Sequence, residues 1–325
     1  MNAISRDTEA ILLLCCRLPK DLGGEEHARA LTHGEYIRLA GWLHENDLRP
    51  SNLLDDNWKG ILEKSEDSGL DISRLSNLLT RGVSISFARE RWERAGLWIL
   101  SRADPSYPKR WKKILKNRAP ALLFGAGSPV LLEAGGLGVV GSRNISDEVE
   151  AFVAELAKKS AINGINIVSG GARGVDRIAM QNATDANGKS LGVLADSLLK
   201  TIMRRDSRSS IENGRLTLVS PFSPEAGFNA GNAMARNKLI YASSDLVVVA
   251  QTDKGKGGTW GGATECLKQH WVPVLAQTKY PSDGLNALIA RGAHEMDIPE
   301  NNNFAEYFKS YSGKSSSQPI QNALL

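Results

Sequence analysis

LGVVGSRNISDEVEAFVAELAKKSAINGINIVSGGARG, residues 137–174, sets one amphipathic segment between two short apolar runs. The runs at 137–140 and 165–169 are strand-length and too short for helices. Between them Val149, Phe152, Val153, Leu156 and Ala157 recur at i, i+3, i+4, i+7 and i+8, which is one buried helical face. The spacing predicts a helix starting near Ser146. Asp147, Glu148 and Glu150 fall in its first turn, where negative charge suits the helix dipole. Lys158 and Lys159 fall in its last turn, and Gly164 supplies a left-handed stop.

Outward from this unit the pattern repeats. LGVLA (191–195), LTLVS (216–220), DLVVVAQ (245–251) and WVPVLA (271–276) are further apolar runs, and LWIL (97–100) and ALLF (121–124) precede them. Strands apolar on both faces and separated by helices indicate a parallel sheet covered on both sides. The expected fold is a doubly wound, mostly parallel α/β sheet with a small helical domain in front of it. That domain, 1–95, carries helical periodicity in ILLLCCRL, EYIRLAGWL, NWKGILEKS and ISRLSNLLTRG. The sheet domain spans 96–298. The stretch 299–325, with NNN and SGKSSSQPIQN, is too poor in apolar residues for a core and is expected to be a flexible tail.

The chain has 325 residues and a formal net charge of +4, a mild basic bias that permits an anionic partner without requiring one. The apolar run at 10–16 is short and follows Asp7 and Glu9, so it is not a secretory signal. Nothing approaches the roughly 18 continuous apolar residues of a membrane span. Three cysteines, two of them adjacent, cannot build a disulfide framework, and a reducing cytoplasm is the expected compartment.

Two phosphate-binding motifs are present in letters only. Gly136, Gly138 and Gly141 have dinucleotide-fingerprint spacing, but the strand runs through them instead of preceding them, and no acid ends the next strand. ATDANGKS (183–190) resembles a relaxed P-loop, yet it runs helix, loop, strand, so Gly188 reads as a helix stop. No cofactor is expected.

The informative glycines lie at the carboxyl ends of strands, where open α/β sheets bind ligands. Four segments meet there in the expected topology: Gly141-Ser142-Arg143-Asn144, Ser169-Gly170-Gly171-Ala172-Arg173-Gly174, Arg236-Asn237-Lys238, and the glycine loop with Lys256, Gly257, Gly258 and Thr259. Glycines let backbone N–H groups approach an anion, and Arg143, Arg173, Arg236, Lys238, Lys254 and Lys256 add positive charge. Such an edge suits phosphate. Alternatives stay open for single residues: Arg173 pairing with Asp176, Trp260 packing or stacking on a base, Glu265 capping a helix or acting as a catalytic carboxylate. KRWKKILKNR reads either as a basic track or as an amphipathic helix with Trp111 inward. Cys266 and His270 have i, i+4 spacing with no further ligand cluster, so no metal is expected.

An ordered series of motifs resembles the DNA-processing protein A family (DprA/Smf): Tyr107-Pro108, VVGSR (139–143), SGGARGVD (169–176), ARNKLIYASSD (235–245), the GGT loop with Glu265, and GLNALIARGA (284–293). The resemblance implies a Rossmann-like core and a non-catalytic, dimeric protein that binds single-stranded DNA and hands it to a RecA-type recombinase. Carried over by position, Gly141, Ser142 and Arg143 match the GSR motif. Ser169, Gly170, Arg173 and Gly174 match SGxARG, and Arg236, Asn237 and Lys238 match the RNR-type motif. The chain departs from the family pattern at ADSLLKTIMRRDSRSS, at Pro221 in SPFSPEAGF, at GKGGTWGGATE, and in having no winged-helix-like sequence after residue 295. Two other readings fit the same pocket: a nucleotide sensor, and an N-glycoside hydrolase resembling LOG-type phosphoribohydrolases with Glu265 as its carboxylate.

Overall fold

A computed structural model describes residues 4–22, 29–64, 69–299 and 304–312. Its nine strands are β1 (Trp98–Ser101), β2 (Leu122–Ala126), β3 (Leu137–Gly141), β4 (Ile167–Ser169), β5 (Ser190–Val193), β6 (Leu216–Ser220), β7 (Leu246–Gln251), β8 (Val274–Gln277) and β9 (His294–Met296). They form one sheet in the order β1-β2-β6-β5-β4-β3-β7-β8-β9. β1 and β2 pair antiparallel, whereas the pairings β5–β4, β4–β3, β3–β7, β7–β8 and β8–β9 are all parallel. The doubly wound α/β fold is therefore as the apolar runs require, with helices ahead of the first strand. β9 has two exposed residues in three, which is why no apolar run announced it.

The chain packs as two compact units. One runs to Ala126 and takes in Ala195–Arg204 and Val219–Phe228. Its helices are α1 (Arg6–Cys15), α2 (His33–Glu45), α3 (Trp58–Lys64), α4 (Ile72–Leu79), α5 (Gly82–Arg94) and α6 (Lys109–Leu115), with α10 (Leu198–Ile202) from the later segment. Residues 10–14 of α1 are all buried, so this helix forms the middle of the unit. Its carboxyl end is closed by Arg81, whose guanidinium donates to the carbonyls of Leu13 and Cys16 that no intrahelical N–H can reach. At α2, Thr32 and Glu35 form a capping box, and Glu35 also receives Arg74 of α4 at 2.8 and 3.1 Å, tying two helices together. Trp111 of α6 is fully buried, edge-on to Tyr107 with ring centroids 6.3 Å apart. The amphipathic reading of KRWKKILKNR therefore holds.

The second unit comprises Gly127–Leu194, Arg205–Leu218 and the chain from Asn229. Its helices are α7 (Leu131–Ala134), α8 (Asp147–Ile162), α9 (Val175–Asp185), α11 (Arg205–Glu212), α12 (Ala230–Ser243), α13 (Gly257–Gln269), α14 (Asp283–Ile289) and α15 (Phe304–Ser312). The five apolar positions of α8 are all buried. Gly164 (φ 69°) ends that helix as expected, with the Ile165 N–H donating to the Ser160 carbonyl. At the end of α9 it is Asn187 (φ 61°), not Gly188, that turns left-handed. Gly188 is small for another reason, since a Cβ there would lie 2.5 Å from that of Ala161.

Two further expectations are corrected. The segment 257–262 is no loop, because α13 starts at Gly257 and runs through all its glycines. Part of the expected tail is helical: α15 buries Phe304, and Tyr307 stacks beside it with centroids 6.4 Å apart, aromatic content that the polar runs around it masked. Residues 300–303 and 313–325, where the rest of that expectation falls, lie outside the described residues. No helix among the described residues is long and apolar enough to cross a membrane.

Candidate functional site

After β3 the chain winds through β4 to β6 on one side, then returns to β7, β3's other neighbour, and continues to β8. The carboxyl ends of β3 and β7 are thus the point where the winding reverses, the place where such sheets leave a crevice. Gly141 and Gln251 end these strands. The Ser142 N–H donates to the Gln251 carbonyl at 3.0 Å, holding the GSR loop against the end of β7.

The second loop docks on the first through Gly174. Its φ of 85° belongs to the left-handed region, and a Cβ there would stand 2.5 Å from the Ser142 carbonyl oxygen and 2.6 Å from that of Arg143. Only glycine lets α9 begin directly beneath the GSR loop. Arg173 extends from the same turn and donates to Asn144 Oδ1 at 2.5 Å, joining the exposed tips of the two loops. Its partner is therefore Asn144, and Asp176 is turned elsewhere.

Asp176 points inward. Burial raises its pKa above the usual carboxylate value, opposed by the facing Arg236 guanidinium and by backbone N–H groups of Ala172 and Gly170. Arg236 is only 6% exposed. A Cβ on Gly170 would lie 1.6 Å from Arg236 Nη1 and 2.6 Å from Asp176 Oδ2, so both charged groups crowd one point behind the SGGARG loop. Arg236 thus faces an internal carboxylate, and the N–H groups of Gly170 and Ala172 lie against the same group. Ser169 is likewise committed, its hydroxyl donating to the Val139 carbonyl at 2.6 Å.

The third and fourth segments meet through side chains. Asn237 Nδ2 donates to the Gly258 carbonyl at 2.9 Å, and the Thr259 hydroxyl donates to the Gly141 carbonyl at 3.0 Å. Gly262 lets α12 and α13 pack closely, since a Cβ there would already be 3.0 Å from the Tyr241 ring. All four expected segments are therefore brought together at one edge of this unit.

They divide by exposure. Arg143, Gly171, Arg173, Lys256, Gly257 and Gly258 are exposed, together with Lys254. Gly141, Ser142, Asn237, Lys238 and Thr259 are half-buried, while Ser169, Gly170, Gly174 and Arg236 are buried. Sequence reasoning missed Asp176 as the partner of Arg236, although it stands in the SGGARGVD motif. It also missed Gln251, whose buried Oε1 has no hydrogen-bond partner among the described residues. Cys266 is buried with its thiol on the Val272 carbonyl at 3.4 Å, and burial pushes its pKa up to about 12. His270 (φ 51°) ends α13. Among the described residues no three His, Cys, Asp or Glu side chains gather as a metal site. Glu265 lies half-buried within α13.

Residues 98–307 match the family described as DNA recombination-mediator protein A. The chain is 33% identical over 230 residues to Protein Smf of Escherichia coli, covering 66% of this chain and 60% of that one. It is 30% identical over 176 residues to DNA processing protein DprA of Bacillus subtilis, covering 54% and 58%. The matches thus span less than two thirds of those relatives. The X-ray structure of DprA from Streptococcus pneumoniae superposes with a TM-score of 0.67 over 94% of this chain and 99% of the other, at 22% identity, a likeness of fold. DNA processing protein A from Helicobacter pylori, whose structure is described as giving insight into its single-stranded DNA binding mode, superposes at 0.54 with 27% identity, over 66% and 97%.

Proposed function

Since this chain belongs to the DNA recombination-mediator protein A family (DprA/Smf), we propose that it binds single-stranded DNA at the β3/β7 edge without chemical turnover, acts as a homodimer, and delivers the strand to a RecA-type recombinase. The observation that carries the binding reading is the convergence of four segments there, with Arg143, Arg173, Lys254 and Lys256 exposed. The site residues then split into two roles. Arg143, Arg173, Lys238 and Lys256, with the backbone of Gly171, Gly257 and Gly258, take the phosphates beside the Gly141-Ser142 turn, whose Ser142 N–H is held by the Gln251 carbonyl. Ser169, Gly170, Gly174, Arg236, Asn237 and Thr259 hold the loops that present them.

Flexible Lys and Arg side chains at an exposed edge neutralise phosphate with counterion release, so affinity falls steeply as salt rises. The test is fluorescence anisotropy of single-stranded, double-stranded and mononucleotide probes over a salt series. Single-stranded DNA is expected to bind most tightly, with a steep salt slope that becomes shallower by about one counterion in Arg173→Ala. Unchanged affinity in both Arg173→Ala and Lys238→Ala would remove this edge from the binding surface. Tight binding of a mononucleotide without oligonucleotide binding would favour a nucleotide sensor instead. Delivery and dimerisation are tested by recombinase filament assembly on coated DNA and by sedimentation equilibrium.

A further inference from the structure

Trp260 takes no part in the contacts that join the four segments, yet it sits among them. It lies in the first turn of α13, directly after Thr259, whose hydroxyl reaches Gly141. Its own carbonyl accepts the Thr264 hydroxyl at 2.8 Å, which is a helical contact and leaves the indole uncommitted to the helix. Trp260 is half-buried, and glycines stand at 258 and 261 on either side of Thr259 and Trp260. Over the indole lies the guanidinium of Arg291, two residues beyond α14, with Cζ 5.3 Å from the ring centroid. Arg291 is itself exposed.

One face of the ring thus carries a planar cation that solvent can reach. The aromatic group follows Thr259, which reaches the Gly141 carbonyl, and lies four residues after the exposed Lys256 in the chain. The combination fits a ligand with a π-face and a nearby negative charge. That chemistry is an unpaired nucleobase on a phosphodiester chain.

The geometry points to Trp260 and Arg291 as a base-stacking subsite for one nucleotide of the strand bound at the β3/β7 edge. This rests on the proposed binding function and adds a selection rule to it. Phosphates are common to single and double strands, whereas a base held in a duplex cannot offer its face to an indole. The subsite therefore favours single strands without reading their sequence, because every base has a π-face.

The experiment compares a short single-stranded oligonucleotide with the same chain carrying abasic sites throughout, by anisotropy, for the full-length protein and for Trp260→Ala, Trp260→Phe and Arg291→Ala. The wild-type protein is expected to bind the base-bearing strand about tenfold more tightly than the abasic one, the contribution of about one stacked base. Trp260→Ala is expected to lose most of that ratio while keeping its abasic affinity, and Trp260→Phe to retain an intermediate ratio. Arg291→Ala is expected to lower both the ratio and the affinity for the abasic chain. An unchanged ratio in Trp260→Ala would overturn the subsite, as would an equal loss on both strands, which is the mark of a merely structural tryptophan. Wild-type protein that binds neither strand would overturn the proposed binding function itself, a separate outcome.

Discussion

Gly170→Ala adds one methyl group at the point where Arg236 and Asp176 meet. The new Cβ would stand 1.6 Å from Arg236 Nη1 and 2.6 Å from both Arg236 Cζ and Asp176 Oδ2. Ordinary contact needs about 3.5 Å, so the guanidinium must withdraw by about 2 Å. Asp176 cannot follow it, because it is fixed in the first turn of α9. The substitution therefore separates a buried pair, which costs about 3–5 kcal/mol when one charge is left uncompensated. Protonation of Asp176 would relieve part of this, since burial already raises its pKa. An acid with a raised folded pKa stabilises the fold most below its unfolded value of 3.8, and that contribution is lost as pH rises through the folded pKa. The penalty of Gly170→Ala should accordingly be larger at neutral pH than near pH 4. Urea unfolding followed by circular dichroism measures it. The double variant Gly170→Ala/Asp176→Asn should cost less than the sum of the two single variants, because both break the same pair. A loss below about 0.5 kcal/mol at neutral pH, or strict additivity in the double variant, would refute the account of Gly170 as the glycine that admits this pair.

Gly261→Ala is the opposite case. Nothing lies within 4 Å of its Cβ position and it is inside a helix, so alanine should stabilise by about 0.5–1 kcal/mol, read as a rise in thermal midpoint. The Arg74 guanidinium beside Glu35 holds that carboxyl well below its ordinary 4.5, so its contribution is complete above that pH and is lost as pH falls toward the folded value. Glu35→Gln should lower stability at pH 7 and flatten the loss on acidification below about pH 4.5, measured by urea midpoints across a pH series. Tyr107→Phe removes the hydroxyl that donates to the Pro120 carbonyl at 2.8 Å and leaves the ring packed on Trp111, which should cost about 1 kcal/mol in chemical denaturation.

Much of the sheet was legible because its strands are apolar on both faces, and a continuous apolar run bounded by glycine has few other uses. β9 escaped because His294 and Glu295 face solvent at the sheet's far edge. Helix α8 was legible from its periodicity, its acidic first turn and its glycine stop, all of them local features. Helix α13 was not, because four glycines within six residues read as a loop. It is a helix because close packing on α12, with Asn237 and Tyr241 against Gly258 and Gly262, compensates for its poor propensity.

The four segments of the site were legible as motifs, and the topology that gathers them followed from the strand pattern. Their division of labour was not. A glycine that admits a phosphate and a glycine that admits a neighbouring guanidinium are the same letter, and so are an arginine on the surface and one buried on a carboxylate. Local periodicity determined by itself where the buried strands and helix α8 fall, because each of these presents a continuous apolar face whatever surrounds it. Only tertiary structure decided that Arg173 meets Asn144, that Arg236 meets Asp176, and that Trp260 lies under Arg291. Those partners stand far apart in the chain or on elements that folding alone brings together, and pairing depends on distance in space, which no spacing in sequence records.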